Sequence, residues 1–343
     1  GRYIFATGGN PEAWADAIRR SLASSPLPPP WRGFPSHRLW TLEHLASPGP
    51  SAHRVLFVTA NLNAGGAQRS LVNLACAPDA RLPIEIAVCG PSSWPAFRDR
   101  LRGAGIAVHQ AGASRDVFDQ AEAIVGRWAD ASIGALVLWN VDPKVKLVLA
   151  QSAAVAKLPV IDVSPGGYAA EEMASVADFG AHLGYPPERY YAGLHALVHK
   201  FATRWPGVPA PQPVIPNGVH PVHNVKVDYT LGTPPRIVMA GRIAPAKFLD
   251  DVRGALTIVA RRWPGCELHV FGAAQVHHRD CALALHADAR VILHGAHEDV
   301  AERLAAFDVF VVLGEHQGCP NALLEALAAG LPCIANDSGG TRE

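Results

Sequence analysis

The sequence predicts an α/β protein built from two tandem, doubly wound parallel sheets. Three features point there. Short apolar runs such as RVLFVTAN (54–61), IEIAVCG (84–90) and ALVLWN (135–140) are continuous rather than alternating, as strands covered on both faces are. Segments with helical spacing of apolar residues lie between them, so strand and helix alternate. The series runs twice, and 343 residues exceed the roughly 250–300 at which single cores stop growing.

The first series begins after His53. Strand 54–61 leads to helix AQRSLVNLACA, strand 84–90 to a helix over 94–103, and the short strand IAVHQAG to helix VFDQAEAIVGRWAD. Strand 135–140, helix 143–156 and strand PVIDVS (159–164) complete it. Around VIPNGVHP (214–221) the pattern turns irregular. The second series reads RIVMAG (236–241), helix 248–263, ELHVFG (267–272), VILHG (291–295), helix 298–306, VFVVLG (309–314), helix 321–329 and PCIAN (332–336). The expected domains are therefore 51–220 and 221–343, both Rossmann-like, with ligands bound beyond the carboxyl ends of their strands. Ahead of them, NPEAWADAIRRSL predicts a helix: Asn10 suits the N-cap, Pro11 the first turn, and Trp14, Ala17, Ile18 and Leu22 share a face. Residues 23–50, dense in Pro and Ser, read as a linker.

Thirty basic and thirty acidic side chains cancel to a formal net charge of +0. A nucleic-acid binder held by phosphate neutralisation needs a basic surplus or face, so that class is disfavoured. Any anionic ligand must be met by a few placed residues. Six cysteines stand singly, with no CxxC pair, which fits reduced thiols in a cytoplasmic protein. No apolar run approaches the ~18 residues a membrane helix needs, and the start shows neither an initiator Met nor a signal-peptide pattern. His277, His278, His286, His294 and His297 cluster, but no recognisable ligand set completes them, so they read as surface or loop residues rather than a metal site.

Three strand-to-helix loops carry the chemistry. In NLNAGGAQRS (61–70), Gly65 and Gly66 let backbone approach a ligand at a helix start. In GRIAPAKF (241–248), Arg242 and Lys247 can converge on one anion, the first as a fork of donors and the second as a mobile point charge. In GEHQGCPNALLEALAAGLPCIANDS (314–338), Pro320 preorganises a turn and the amides of Gly318 and Cys319 are candidate donors to a hydroxylated ligand. Glu325, the single carboxylate of the following apolar helix, is placed to accept both hydroxyls of a vicinal diol such as a ribose. Each loop alone is equally compatible with a plain turn, a solvated pair or an ion-paired helix residue.

Together and in this order, NAGGAQRSLVNLA, VIPNGV, GRIAPAKF and DVFVVLGEHQGCPNALLEALAAGLPCIANDSGG resemble the GT-B glycosyltransferases, specifically glycosyltransferase family 4, over residues 53–343. The resemblance implies a retaining hexosyltransferase that needs no cofactor and no bound metal, and no Asp-x-Asp triplet occurs in the chain. It implies a nucleoside-diphosphate sugar as donor and a carbohydrate or lipid-linked hydroxyl as acceptor, in polysaccharide or glycoconjugate synthesis, in the cytoplasm or peripheral at the membrane. Carried over, Arg242 and Lys247 neutralise the donor diphosphate and Glu325 holds the ribose. Gly318, Cys319 and Pro320 line the sugar, and Gly65 and Gly66 present amides from the first domain. The acceptor is expected near Asn61–Gly66 and Asp162–Tyr168.

The chain departs from the family at three places. Eight positions before Glu325, where the family has glutamate, stands Gln317, which offers hydrogen bonds but no negative charge. The family's histidine after the strand matching PVIDVS is missing, leaving Asp162 and Ser164 as candidates for that polar role. Gln317, Asp162 and Ser164 are thus the expected catalytic residues. The sequence also stops at SGGTRE, short of the last strand and helices of such a domain, so the C-terminal domain is expected to be incomplete. Residues 1–22 resemble the end of such a domain, either the tail of an upstream module or a segment packing in place of the closing helix. A second reading follows: a GT-B-like binding or scaffold module with little turnover. An epimerase or phosphorylase on the same fold fits the motif spacing less well, and no lysine context suggests a pyridoxal site.

Overall fold

The computed structural model describes residues 54–77, 83–112, 114–130, 132–164, 169–198, 212–220, 222–274, 278–315 and 317–343. The helix expected at 10–22 and the linker at 23–50 lie outside them. The chain divides into two compact units at Pro216/Asn217.

The N-terminal unit contains β1 (Arg54–Thr59), α1 (Gly66–Ala75), β2 (Ile84–Val88), α2 (Pro95–Gly103), β3 (Ala107–Gln110), α3 (Val117–Asp130), β4 (Ile133–Trp139), α4 (Pro143–Val155) and β5 (Val160–Ser164). Three short helices follow, α5 (Ala169–Ala174), α6 (Ala177–Leu183) and α7 (Pro187–Gly193), then β6 (Leu194–Val198). All pairings are parallel and the strand order is β3-β2-β1-β4-β5-β6. Successive strand residues feed opposite faces: Leu56 and Val58 join one core layer, Val55 and Phe57 the other. That is why these strands read as unbroken apolar runs. Local signals set the helix starts, as where the Asp142 carboxylate accepts from the Lys144 amide at 2.9 Å just before Pro143.

The C-terminal unit contains β7 (Arg236–Ala240), α8 (Leu249–Ala260), β8 (Glu267–Phe271), α9 (Arg279–His286), β9 (Val291–Gly295), α10 (Val300–Arg303), β10 (Val309–Val312), α11 (Asn321–Ala328) and β11 (Cys333–Ala335). Its five strands are also parallel, in the order β11-β10-β7-β8-β9. Val238 and Phe310 pack with α10 and α11 on one face, Met239 and Leu268 with α8 on the other.

Two differences from the sequence reading stand out. The stretch 169–198 holds three helices and a sixth strand where no element was expected, because helices of six or seven residues are too short to show a period. His294 lies in the strand expected at 291–295 but is half-buried rather than a surface residue. Its ring stacks on Phe271 at 4.3 Å and its Nε2 lies 2.9 Å from His269 Nδ1 on the neighbouring strand. All six cysteines are free thiols. No described helix is long and apolar enough to cross a membrane.

Candidate functional site

The C-terminal unit gathers three loops at the carboxyl edge of its sheet. β7 and β10 are neighbours (Val309 opposite Ile237), so the loops that follow them run side by side. The Glu315 amide donates to the Ala246 carbonyl at 3.2 Å, tying loop 241–248 to loop 313–320. β11 pairs with the other edge of β10, and the Asn336 side chain clamps Gly314, accepting from its N–H and donating to its carbonyl, both at 3.0 Å. The Gly340 amide donates to the Gln317 carbonyl at 2.7 Å. Gly339 makes this turn possible. Its φ is +56°, and a Cβ there would sit 2.0 Å from that same carbonyl oxygen.

Lys247 closes a short 3-10 turn, Pro245–Lys247, and Phe248 then enters α8 from a left-handed conformation. The Lys247 ammonium is half-buried beside Gly314. Burial, and after it the nearby Arg242 guanidinium, push it below its usual range. Neither cation has a carboxylate partner among the described residues. Like charges that share a partly dry site without a counterion form a place for an anion.

Gln317 lies over the same spot: its Nε2 donates weakly to the Glu315 carbonyl at 3.3 Å, and a Cβ on Gly314 would come 2.0 Å from it. Gly318 and Cys319 are buried, and Pro320 is the N-cap of α11. The turn is held from a distance, because the Asn217 side chain donates to the Cys319 carbonyl at 2.9 Å. Glu325 sits one turn into α11 and is only 9% exposed, so it is no solvated surface acid.

The remaining candidates belong to the N-terminal unit. Gly65 is the N-cap of α1, with no side-chain cap, and Gly66 is the first helical residue. A Cβ on Gly65 would meet Gln68 Oε1 at 2.7 Å. Asp162 is fully buried in β5. Lys146 Nζ lies 2.9 and 3.1 Å from its two oxygens, and the Tyr190 hydroxyl also donates to it. Such a carboxylate holds β5 to α4 and α7, which weighs against the direct catalytic part expected of it. Ser164 ends β5, its backbone opposite Val198. Residues 165–168 of the expected acceptor region lie outside the described residues.

Asn217, Asn336, Gly314 and Gly339 were missed as site-building residues. VIPNGV and PCIAN were visible as motifs, but only the fold shows that their asparagines reach Cys319 and Gly314. Among the described residues no group of three or more His, Cys, Asp or Glu is arranged to hold a metal ion.

The chain is similar to known proteins in part of its sequence and in its fold. Residues 234–343 match the family model described as glycosyl transferases group 1. Over 111 residues the chain is 36% identical to the GDP-mannose-dependent alpha-mannosyltransferase of Mycobacterium tuberculosis, covering 32% of this chain and 27% of that protein. The chain thus spans about a quarter of that relative's length. In fold it is similar to Anabaena HepE, crystallised with UDP-glucose: TM-score 0.66, 16% identity, 84% of this chain and 82% of that one. It is similar also to a variant of S. aureus TarM in complex with fondaparinux, alpha-GlcNAc-glycerol and UDP: TM-score 0.59, 10% identity, 83% and 86% covered. Sequence similarity to the glycosyl transferases group 1 model thus covers residues 234–343, and similarity of fold to HepE covers 84% of the chain.

Proposed function

We propose that the protein transfers a sugar from a nucleoside-diphosphate sugar to a hydroxyl acceptor, with retention of configuration, in polysaccharide or glycoconjugate synthesis. One observation carries this reading. Among the described residues, Arg242 and Lys247 have no carboxylate partner at the carboxyl edge of a parallel sheet, beside the buried turn that opens α11. Two cations there match the two negative charges of a diphosphate diester and stabilise it as it leaves, with the dipole of α11 adding to the effect. Glu325 takes the ribose diol and Gly318–Pro320 face the sugar. The Anabaena structure holds UDP-glucose and the mycobacterial relative is named for GDP-mannose, which supports the donor class and leaves base and sugar open.

The test is calorimetry with UDP-, GDP- and ADP-sugars. One of them should bind saturably, and Glu325→Ala should weaken it by about 1.5–3 kcal/mol, the scale of hydrogen bonds to a charged group. Unchanged affinity in that variant removes Glu325 from the site. A second reading, a binding module with little turnover, is favoured by Gln317 and by the lack of a histidine after PVIDVS. Donor hydrolysis in the same samples separates the two.

A further inference from the structure

His269 of β8 and His294 of β9 share a single hydrogen-bonding gap. His269 Nδ1 lies 2.9 Å from His294 Nε2, and the two rings stack with centroids 5.2 Å apart. The other nitrogen of His269, Nε2, lies 3.0 Å from the Glu267 carboxylate, which only accepts, so the Nε2 proton is committed there. The gap to His294 then holds one hydrogen. With both rings neutral, His294 Nε2 donates to His269 Nδ1. With one charge on the pair, His269 Nδ1 donates and His294 keeps its proton on Nδ1. A second charge would put an N–H on each side of a 2.9 Å gap and like charges in two stacked rings, so the contact has to open.

Little around the pair compensates a second charge. His294 stacks on Phe271 at 4.3 Å, and Phe307 packs on His269 at 4.9 Å with the Arg236 guanidinium 5.7 Å from the Phe307 ring. Glu267 is already engaged by His269, and Asp299, which follows β9, is paired with Arg303 of α10 at 2.8 Å. Burial and, after it, the charges of His269, His297 and Arg303 hold the His294 pKa below its ordinary 6.5. The backbone links this cluster to the donor loops. His297 Nε2 donates to the His294 carbonyl at 3.0 Å, and the next carbonyl, that of Gly295, accepts from the Gly272 amide at 2.7 Å. Gly272 packs against Gly241, where a Cβ on it would come 1.8 Å from the Gly241 carbonyl oxygen, and Gly241 immediately precedes Arg242.

We propose that the His269–His294 pair is a pH-sensitive latch: one shared hydrogen holds the carboxyl end of β9 to β8, and a second proton taken up in mild acid releases it, loosening the sheet edge from Gly295 to Gly241. The latch needs no ligand, so it stands or falls separately from the donor reading.

The experiment follows the full chain without ligand, as the wild type and as His294→Gln, whose amide still donates to His269 Nδ1 but takes up no charge. NMR of the histidine rings in the wild type should show the pair taking up its second proton in a step well separated from the first. Between pH 7.5 and pH 5.0 the wild-type melting temperature should fall by about 3 °C more than that of His294→Gln. Over the same change, hydrogen-exchange protection in peptides containing Gly241, Gly272 and Gly295 should fall about tenfold more in the wild type than in the variant. Protonation of both rings together in one step overturns the latch, as does an equal acid loss of protection in the two proteins. Circular dichroism checks that the variant is folded, and the wild-type ring titration decides the matter if it is not.

Discussion

The side-chain amide of Asn217 donates to the Cys319 carbonyl at 2.9 Å, pinning the start of the C-terminal unit to the turn that opens α11. The contact spans 102 positions of sequence and is partly buried. Asn217→Ala should cost about 1 kcal/mol of stability, the usual net worth of a neutral hydrogen bond. It should also loosen nucleotide binding several-fold. Thermal melting and titration measure both, and wild-type affinity would detach this contact from the site.

Burial and, after it, the Arg242 charge disfavour the Lys247 ammonium, a cost that the proposed anionic donor would relieve. Lys247→Met should therefore raise the melting temperature of the free protein while abolishing the shift given by a nucleoside diphosphate. The pH dependence has a definite sign. Folding lowers the Lys247 pKa from its ordinary 10.5, so between the two values the unfolded chain holds more protons. Stability gains from this group as pH rises through that window, and Lys247→Met should flatten the gain. A variant that melts lower without ligand would contradict the stored-cost argument.

Glu85 is the acid-sensitive point of the N-terminal unit. Burial alone would raise its pKa, but hydrogen bonds from Arg127 and Arg54, the Arg127 charge and His109 together bring it below 4.5. A carboxylate so depressed stabilises the fold above its unfolded pKa and loses that contribution as pH falls through the folded value. Glu85→Gln should cost about 2 kcal/mol at neutral pH, and the variant and wild type should converge in strong acid. Urea denaturation at pH 7 and pH 3 reads the difference.

Lys146 and Asp162 form a buried ion pair completed by Tyr190. Lys146→Met leaves a fully buried carboxylate uncompensated and should cost about 3–5 kcal/mol. The double variant Lys146→Met with Asp162→Leu should recover much of that loss, a coupling that a double-mutant cycle extracts. Additive losses would mean the two groups do not act as a pair.

Gly339 permits the close approach of the 339–342 turn to Gln317. Gly339→Ala adds a Cβ to a residue at φ +56° and sets it 2.0 Å from a backbone oxygen, which no rotamer change relieves. The turn should move off the Gln317 carbonyl, and diphosphate affinity should fall about tenfold, or about 1.4 kcal/mol. Binding equal to that of the wild type would show that the turn does not support the site.

Ten of the eleven described strands were legible as apolar runs, because strands covered on both faces bury mostly apolar side chains, with ion-paired Glu85 and Asp162 as exceptions. β6 was not, since LHALV follows three short helices whose burial comes from neighbours rather than from their own period. The chemistry of 241–248 and 314–325 was readable because charged and Gly-Pro residues there break an otherwise apolar text. The packing of His294 was missed for the opposite reason: its partners, Phe271 and His269, sit on another strand, and a histidine's surroundings cannot be counted along one segment.

The sequence by itself determined the alternation of strand and helix and the strand-to-helix loops proposed to face the ligand, since burial and backbone preference act over a few neighbouring residues. Only the tertiary structure decided that Asn217 reaches Cys319, that Asn336 clamps Gly314, that Gln317 lies against Lys247 and that Asp162 is locked to Lys146. The relations around Gly314 come from strand order: parallel pairing of β7, β10 and β11 aligns the ends of segments up to about a hundred residues apart, and no local propensity encodes which ends will meet.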